Sequence, residues 1–109
     1  MRILHLSSLY APEQVGGAER ALEITREFTE ATRAEPGNRF FDWSRSVADT
    51  NEFVLVEGFD DDAAEAHVNS EHFQKMQQEF PQYLTATPQI VSRQVDGDGW
   101  ERMGELQVD

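Results

Sequence analysis

Two histidines in the second half of the chain are the residues best suited to proton transfer. His67 and His72 lie in the segment AHVNSEHF, five positions apart. The ordinary pKa of histidine is close to neutral pH, so either imidazole could take a proton from a substrate. In one continuous helix a separation of five would place them on different faces, whereas a helix break near Ser70 would change that relation. We predict that His72, His67 or both act as a general base; the alternative is that one of them packs or caps a helix and the other lies on a solvated helix face.

The same two histidines make a weak metal site on sequence grounds. No third ligand lies at helical or strand spacing from them, and a zinc site needs at least three protein donors. The chain has no cysteine, which excludes disulfides, thiolate metal sites and cysteine nucleophiles. We therefore expect no metal at these residues.

Other polar residues could hold a substrate oxygen. Asn51 and Asn69 could polarise it, although Asn51 also suits a turn and Asn69 a helix break. Arg93, on a predicted strand, could stabilise an oxyanion or instead pair with one of the many carboxylates.

Aromatic residues could form the wall of an apolar binding pocket. The candidates for substrate binding are Phe41, Trp43, Phe53 and Phe73. Aromatic side chains in strands more often form the core, so both roles stay open for each of them.

Hydrophobic patterning and turn residues indicate the elements that position these side chains. The predicted strands are Met1–Tyr10, Asn38–Arg45, Glu52–Phe59 and Thr87–Val95, and the predicted helices are Ala18–Ala34 and a two-piece region from the Asp60–Asp62 run to about Tyr83. The order β-α-β-β-α-β predicts an α+β, ferredoxin-like fold in one domain over residues 1–109, with a C-terminal arm at 96–109.

The first helix should bury one face and end at a turn. Residues at spacings of three and four predict that face: Ala18, Ala21, Leu22, Thr25, Phe28 and Thr32. The run Glu35-Pro36-Gly37 ends the helix, because a proline disfavours helix at the preceding residue and Gly37 tolerates a left-handed backbone.

The second and third strands read as apolar on both faces. In the third strand Phe53, Leu55 and Phe59 alternate with Val54 and Val56. Two helices on one side of the sheet would leave its other face exposed to solvent. Exposure of a large apolar surface to water is unfavourable. We therefore predict a homodimer in which the two sheets lie face to face.

The charge of the chain limits its partners. Its 109 residues include 21 acidic and 9 basic ones, a net charge of −12. Such a chain is repelled by phosphate backbones and anionic lipid, so we expect neither a nucleic-acid nor a membrane partner. The apolar start ILHL is too short for a secretory signal, and we expect a cytoplasmic protein.

Three segments together resemble the antibiotic biosynthesis monooxygenase domain family, which includes quinol monooxygenases. They are EATRAEPG at the end of the first helix, NEFVLVE in the third strand and AHVNSEHF with its His-x4-His-Phe signature. The segment PQIVSRQV is similar to the last strand of that family, so the resemblance covers residues 24–109. It implies a dimeric α+β barrel built from ferredoxin-like protomers.

Residues 1–23 depart from that pattern. MRILHLSSLYAPEQVGGAER is similar to the start of a retaining glycosyltransferase, which suggests a chimeric N terminus. A chain of 109 residues is too short for the two domains of such an enzyme. We expect the segment to serve as the first strand of the sheet.

The family resemblance implies an activity. Its cofactor-independent members oxidise a quinol-like or polyphenolic aromatic with dioxygen, using neither metal nor flavin, which implies no cofactor here and an aromatic substrate as the partner besides dioxygen. Two alternatives stay open: a non-oxidative isomerase of a small metabolite, and a non-catalytic dimer that binds a small ligand. Haem degradation is disfavoured, because haem-degrading relatives carry an Asn on the first strand and this strand has none.

Overall fold

The computed structural model describes residues 2–10, 17–49, 51–84, 86–97 and 99–108. The strands are β1 (Arg2–Tyr10), β2 (Asn38–Arg45), β3 (Glu52–Phe59) and β4 (Gln89–Gln94). The helices are α1 (Gly17–Arg33), α2 (Ala63–Val68) and α3 (Glu71–Glu79), followed by a 3₁₀ turn at Phe80–Tyr83. The strands form one antiparallel sheet in the order β2-β3-β1-β4. This is the ferredoxin-like α+β arrangement that the sequence predicted.

The N-terminal segment supplies a central strand of the sheet. In β1, His5 lies opposite Val56 of β3 and opposite Val91 of β4. The register with β3 shifts between Leu6 and Leu9, as at a β-bulge. Residues 2–10 of this segment form the first strand of the sheet, at the place where the sequence predicted one.

Helix α1 packs on the sheet through a stripe at a spacing of four residues. Ile24, Phe28 and Thr32 are all buried. The expected place of Leu22 on this face was wrong, since that side chain is 62% exposed. At about 100° per residue, Leu22 points about 120° away from Phe28, whereas Ile24 lies within about 40° of it. The side chains of Ala18 and Ala21 lie outside the described residues.

The core lies between α1, α3 and the inner face of the sheet. Phe41 of β2 and Phe59 of β3 are fully buried there, and the rings of Phe41 and Phe28 meet edge to face at 5.5 Å. Edge-to-face contacts of this kind add stability beyond the area that they bury. None of the described helices is long and apolar enough to cross a lipid bilayer.

The outer face of the sheet is less apolar than the sequence suggested. On β2 only Phe40 is apolar on that side, because Asp42 and Ser44 share its face and are exposed. The Phe40 and Trp100 rings lie 5.6 Å apart at a tilt of 38°, and Trp100 itself is 77% exposed. No described residue of the predicted C-terminal arm belongs to a helix or strand.

Candidate functional site

A helix break brings the two histidines together. Helix α2 ends at Val68, and Ser70 caps α3 by accepting a hydrogen bond from the Phe73 backbone N–H at 3.2 Å. The Ser70 hydroxyl in turn donates to the His67 carbonyl at 2.6 Å. A side-chain cap of this kind stabilises a helix start by about 1 kcal/mol. The break changes the direction of the chain, and the imidazole rings of His67 and His72 lie 6.0 Å apart.

Glu35 lies between the two imidazoles. Its Oε2 is 2.7 Å from His67 Nδ1 and 2.6 Å from His72 Nε2, so one carboxylate oxygen accepts a hydrogen bond from each ring. We call Glu35, His67 and His72 the His–Glu cluster. His67 is 2% exposed, while the side chains of Glu35 and His72 are 14% and 24% exposed. The cluster thus reaches from the core toward solvent, with His72 as its most accessible member.

A tight turn after α1 holds Glu35 against α2. The Glu35 N–H donates to the Thr32 carbonyl, and the Glu35 carbonyl accepts from the Asn38 N–H. The Gly37 carbonyl accepts from the Asp60 N–H at 2.8 Å, which ties this turn to the start of α2. A Cβ on Gly37 would clash with the Cβ of Ala63. The expected left-handed backbone at Gly37 was wrong: its φ is not positive, and the glycine is needed for this close approach.

A second carboxyl group lies on the other side of His67. Glu57 of β3 is 4% exposed, and its Oε1 is 3.6 Å from His67 Nε2. Burial, and then the nearby charge of Glu35, raise the pKa of Glu57 to about 8. A carboxyl group with that pKa keeps its proton at neutral pH. His67 is therefore held between an acceptor at Nδ1 and a carboxylic acid near Nε2.

Sequence reasoning missed both glutamates. Glu35 stood in the helix-ending run EPG, where only its turn-forming role was considered. Glu57 carried a clearer signal, because alternate residues of a strand share a face and Glu57 therefore lies on the same inner face as Leu55 and Phe59 of β3. A charged residue at a core position of a strand points to a paired or functional group.

Two of the four predicted aromatic residues surround His67. The Phe73 ring lies 5.1 Å from the His67 ring and the Phe41 ring 6.2 Å from it. Trp43 lies one step further away, 6.2 Å from Phe41, and its indole N–H donates to Thr29 Oγ1 at 2.8 Å. The apolar surroundings of the imidazole keep water away from it and strengthen its hydrogen bonds.

The remaining predicted residues lie outside the cluster. Asn51 is an exposed turn residue whose N–H donates to Asp49 Oδ1, about 20 Å along the strand from Glu57. Asn69 is an exposed C-cap of α2 whose N–H donates to the Glu65 carbonyl. For both, the structure shows the turn and helix-break positions that the sequence also allowed.

Phe53 and Arg93 have other neighbours. The Arg45 guanidinium lies over the Phe53 ring, 4.8 Å from its centroid. Arg93 is exposed on β4 and donates to the Ser92 carbonyl at 2.8 Å. The contacts of these two side chains do not include the His–Glu cluster.

A small cavity lies between α1 and α3 next to His72. Its volume is about 190 Å³. Apolar Ile24, Phe28 and Met76 line it together with His72 and charged Glu27, Lys75 and Glu79. The Glu79 Oε2 is buried without a hydrogen-bond partner among the described residues. The cavity combines an apolar surface with a few polar groups, as binding sites for small organic molecules do.

The bond from His72 to Glu35 determines which nitrogen can act as a base. When His72 Nε2–H donates to the carboxylate, the second ring nitrogen, Nδ1, carries a lone pair. No described residue makes a hydrogen bond to that nitrogen. A carboxylate that orients an imidazole and stabilises its protonated form is a common general-base arrangement.

The chain is similar to one family and to several solved structures. The family model for antibiotic biosynthesis monooxygenases matches residues 12–79. A crystal structure of an antibiotic biosynthesis monooxygenase is 23% identical with a TM-score of 0.76, over 89% of this chain and 100% of that one. PA3566 from Pseudomonas aeruginosa is 28% identical with a TM-score of 0.69, over 84% and 90% of the two chains. Rv0793 from Mycobacterium tuberculosis is 22% identical with a TM-score of 0.73, over 91% and 100%.

No curated protein matches this chain significantly by sequence.

The bounds of the family match also bear on the two ends of the chain. The family match begins at residue 12, within the segment that resembles a glycosyltransferase, and leaves a chimeric N terminus without support. It ends at residue 79, before β4, which the sheet nonetheless includes. By sequence and by fold, the chain belongs to the antibiotic biosynthesis monooxygenase family.

Proposed function

We propose that this protein is a cofactor-independent monooxygenase that oxidises a single-ring quinol with dioxygen. The observation that carries the proposal is the position of His72, which lines the cavity and bonds to Glu35 Oε2 through Nε2 at 2.6 Å. Quinol oxidation needs a base at the wall of an apolar site, because dioxygen accepts electrons far more readily from the phenolate than from the phenol. The family membership supports a monooxygenase of this general type.

In this proposal His72 takes the phenolic proton on Nδ1. Glu35 holds the ring in the required tautomer and stabilises the imidazolium that forms. His67 is too deeply buried to meet a substrate, at 2% exposed. We assign it a positioning role, because its N–H holds the carboxylate that orients His72.

The size of the cavity favours a small substrate. A cavity of about 150 Å³ is known to hold benzene. The cavity beside His72, at about 190 Å³, therefore suits a single aromatic ring with hydroxyl groups better than a three-ring anthrone. Ile24, Phe28 and Met76 would contact the ring.

The proposed reaction balances without a further reductant. The phenolate passes one electron to dioxygen, and the semiquinone and superoxide radicals combine to form a carbon–oxygen bond. Loss of water then leaves the hydroxylated quinone, so a benzohydroquinone and one O₂ become a hydroxybenzoquinone and one H₂O. The substrate supplies all the electrons, and His72 returns its proton when water leaves.

Oxygen uptake with benzohydroquinone, corrected for autoxidation, tests the proposal. His72→Ala should lower the enzymatic rate by roughly 10²–10⁴-fold, and Glu35→Gln should lower it less. Glu71→Gln, which removes an exposed carboxylate next to His72 in sequence, is the matched control and should keep the rate. No enzymatic uptake by the unaltered protein, or equal rates in His72→Ala and Glu71→Gln, would contradict it. Saturable quinol binding without oxygen uptake would favour a binding protein instead.

We also propose that the protein is a homodimer through the outer face of the sheet. Val91 of β4 is 48% exposed there, and Trp100 is 77% exposed beside Phe40. A second copy of the same face would bury these side chains with a self-complementary surface. A cytoplasmic location stays a prediction.

A further inference from the structure

We propose that the His–Glu cluster is a binding site for a divalent transition metal ion, with Zn²⁺ as the best fit. The donors are Glu35 Oε2, His67 Nδ1 and His72 Nε2, all within 4.8 Å of one another. Two imidazole nitrogens and one carboxylate oxygen form a ligand set that Zn²⁺ binds well, with the fourth position left for water. The three residues come from a turn and two separate helices, which is why no sequence spacing revealed them.

The present spacing needs only a small adjustment to hold an ion. Tetrahedral Zn²⁺ with bonds of about 2.1 Å requires donors about 3.4 Å apart. The widest pair in the cluster therefore has to close by at most about 1.4 Å, and the two hydrogen-bonded pairs, at 2.7 and 2.6 Å, have to separate by about 0.7–0.8 Å. The side chains of His72 and Glu35 are 24% and 14% exposed, so the ion would reach the cluster from their solvent-facing side.

The charges around the cluster favour a cation. No lysine or arginine nitrogen of the described residues lies within 4.0 Å of the Glu35 carboxylate, so the two imidazoles are its partners. When Nδ1 of His67 binds the ion, the ring proton moves to Nε2, where Glu57 Oε1 stands 3.6 Å away. A carboxyl oxygen behind a metal-bound histidine is a frequent outer-shell acceptor, which orients the ring toward the ion.

Binding does not depend on the proposed oxidation. An ion on His72 Nε2 would leave the ring proton on Nδ1 and would use the Glu35 oxygen, so the zinc-bound cluster would not act as the base of the oxidation. Zn²⁺ binding is measured without a substrate, and its failure would leave the oxidation proposal as it stands.

Visible absorption of Co²⁺ added to protein freed of metal by a chelator tests the site. We expect a saturable, intense tetrahedral Co²⁺ band at one ion per chain, which Zn²⁺ removes. Glu35→Gln and His72→Ala should each weaken binding roughly a hundredfold or more, and Glu57→Gln roughly tenfold. Glu71→Gln is the control and should bind normally. Weak octahedral absorption without saturation, or equal binding by Glu35→Gln and Glu71→Gln, would overturn the proposal.

A measurement on the unaltered protein removes the risk that a variant misfolds. The chain has three histidines, so their ring proton resonances can be followed individually by NMR during a Zn²⁺ titration. The resonances of two histidines should change up to one equivalent of Zn²⁺ and then stop, with those of His5 unchanged. Changes in all three histidines, or in none, would overturn the assignment.

Discussion

The two faces of the sheet differ in how deeply they bury similar side chains. On the inner face Phe41 and Phe59 are fully buried and enclose His67, which lies 4.8 Å from the Phe59 ring. On the outer face the Phe40 and Trp100 rings are also in contact, but Trp100 is 77% exposed. Phe40 and Phe41 are neighbours in sequence, so composition does not explain the difference. The helices cover only one face, and that coverage decides where a carboxyl group can have a raised pKa.

Because the two faces are buried to different depths, they suit different functions. The inner face can hold ionisable groups out of water, where their interactions are stronger and their pKa values shift. The outer face presents apolar atoms to solvent, which suits association with another surface. The contrast makes three predictions, the first of which compares the two neighbouring phenylalanines.

Phe41→Ala should cost far more stability than Phe40→Ala. Phe41 is fully buried against Phe28, so its removal leaves a cavity and should lower the free energy of unfolding by about 3–5 kcal/mol. Phe40 is only partly buried, and its removal should cost roughly 1–2 kcal/mol. Urea denaturation at low protein concentration measures both without a contribution from association. Equal costs would show that the two faces are equally buried.

Glu57→Gln should change how stability depends on pH. The Glu57 carboxyl has a pKa of about 8 in the folded protein and of about 4.5 in the unfolded chain. Between these values the folded state binds more protons, so stability falls as pH rises from about 5 to 8. Glu57→Gln removes this loss and should be more stable than the unaltered protein by roughly 3–5 kcal/mol at pH 9.

Chemical denaturation at pH 5, 7 and 9 in the presence of a chelator gives this difference directly. The stability difference between the two proteins should grow with pH, because only one of them must ionise a buried carboxyl group. Glu71→Gln, at an exposed position, should show no such growth. A constant difference from pH 5 to pH 9 would mean that Glu57 ionises normally in the folded protein.

Val91→Lys should weaken dimerisation, and of the three substitutions it should change the stability of the protomer least. Val91 lies level with Val56 on the outer face and is 48% exposed, so a lysine there costs the fold little. In a dimer it would place an uncompensated charge in the interface and raise the dissociation constant by roughly ten- to a hundredfold. Sedimentation over a range of concentrations measures this. Val47→Lys, at a fully exposed position between β2 and β3, is the control, and equal effects of the two substitutions would contradict the proposed interface.

Much of the local structure was predictable. The bounds of β2 and β3 were predicted as the structure has them, and the helical region after the Asp60–Asp62 run was predicted in two pieces. These features depend on residues within a few positions of one another, through alternation, proline and glycine signals and side-chain caps. Leu22 was misplaced for a related reason, since spacings of three and four do not by themselves tell which of two adjacent stripes faces the core.

The sequence by itself determined the elements, their order, the family and the choice of the two histidines as candidate bases, because each of these follows from patterns among nearby residues. Only the tertiary structure decided that Glu35 meets His67 and His72, which are 32 and 37 positions away. Such contacts depend on how a turn and two helices pack over one face of a sheet, and no local pattern encodes that distance. The same packing buries Glu57 and raises its pKa to about 8, which turns an ordinary glutamate into a protonated neighbour of His67.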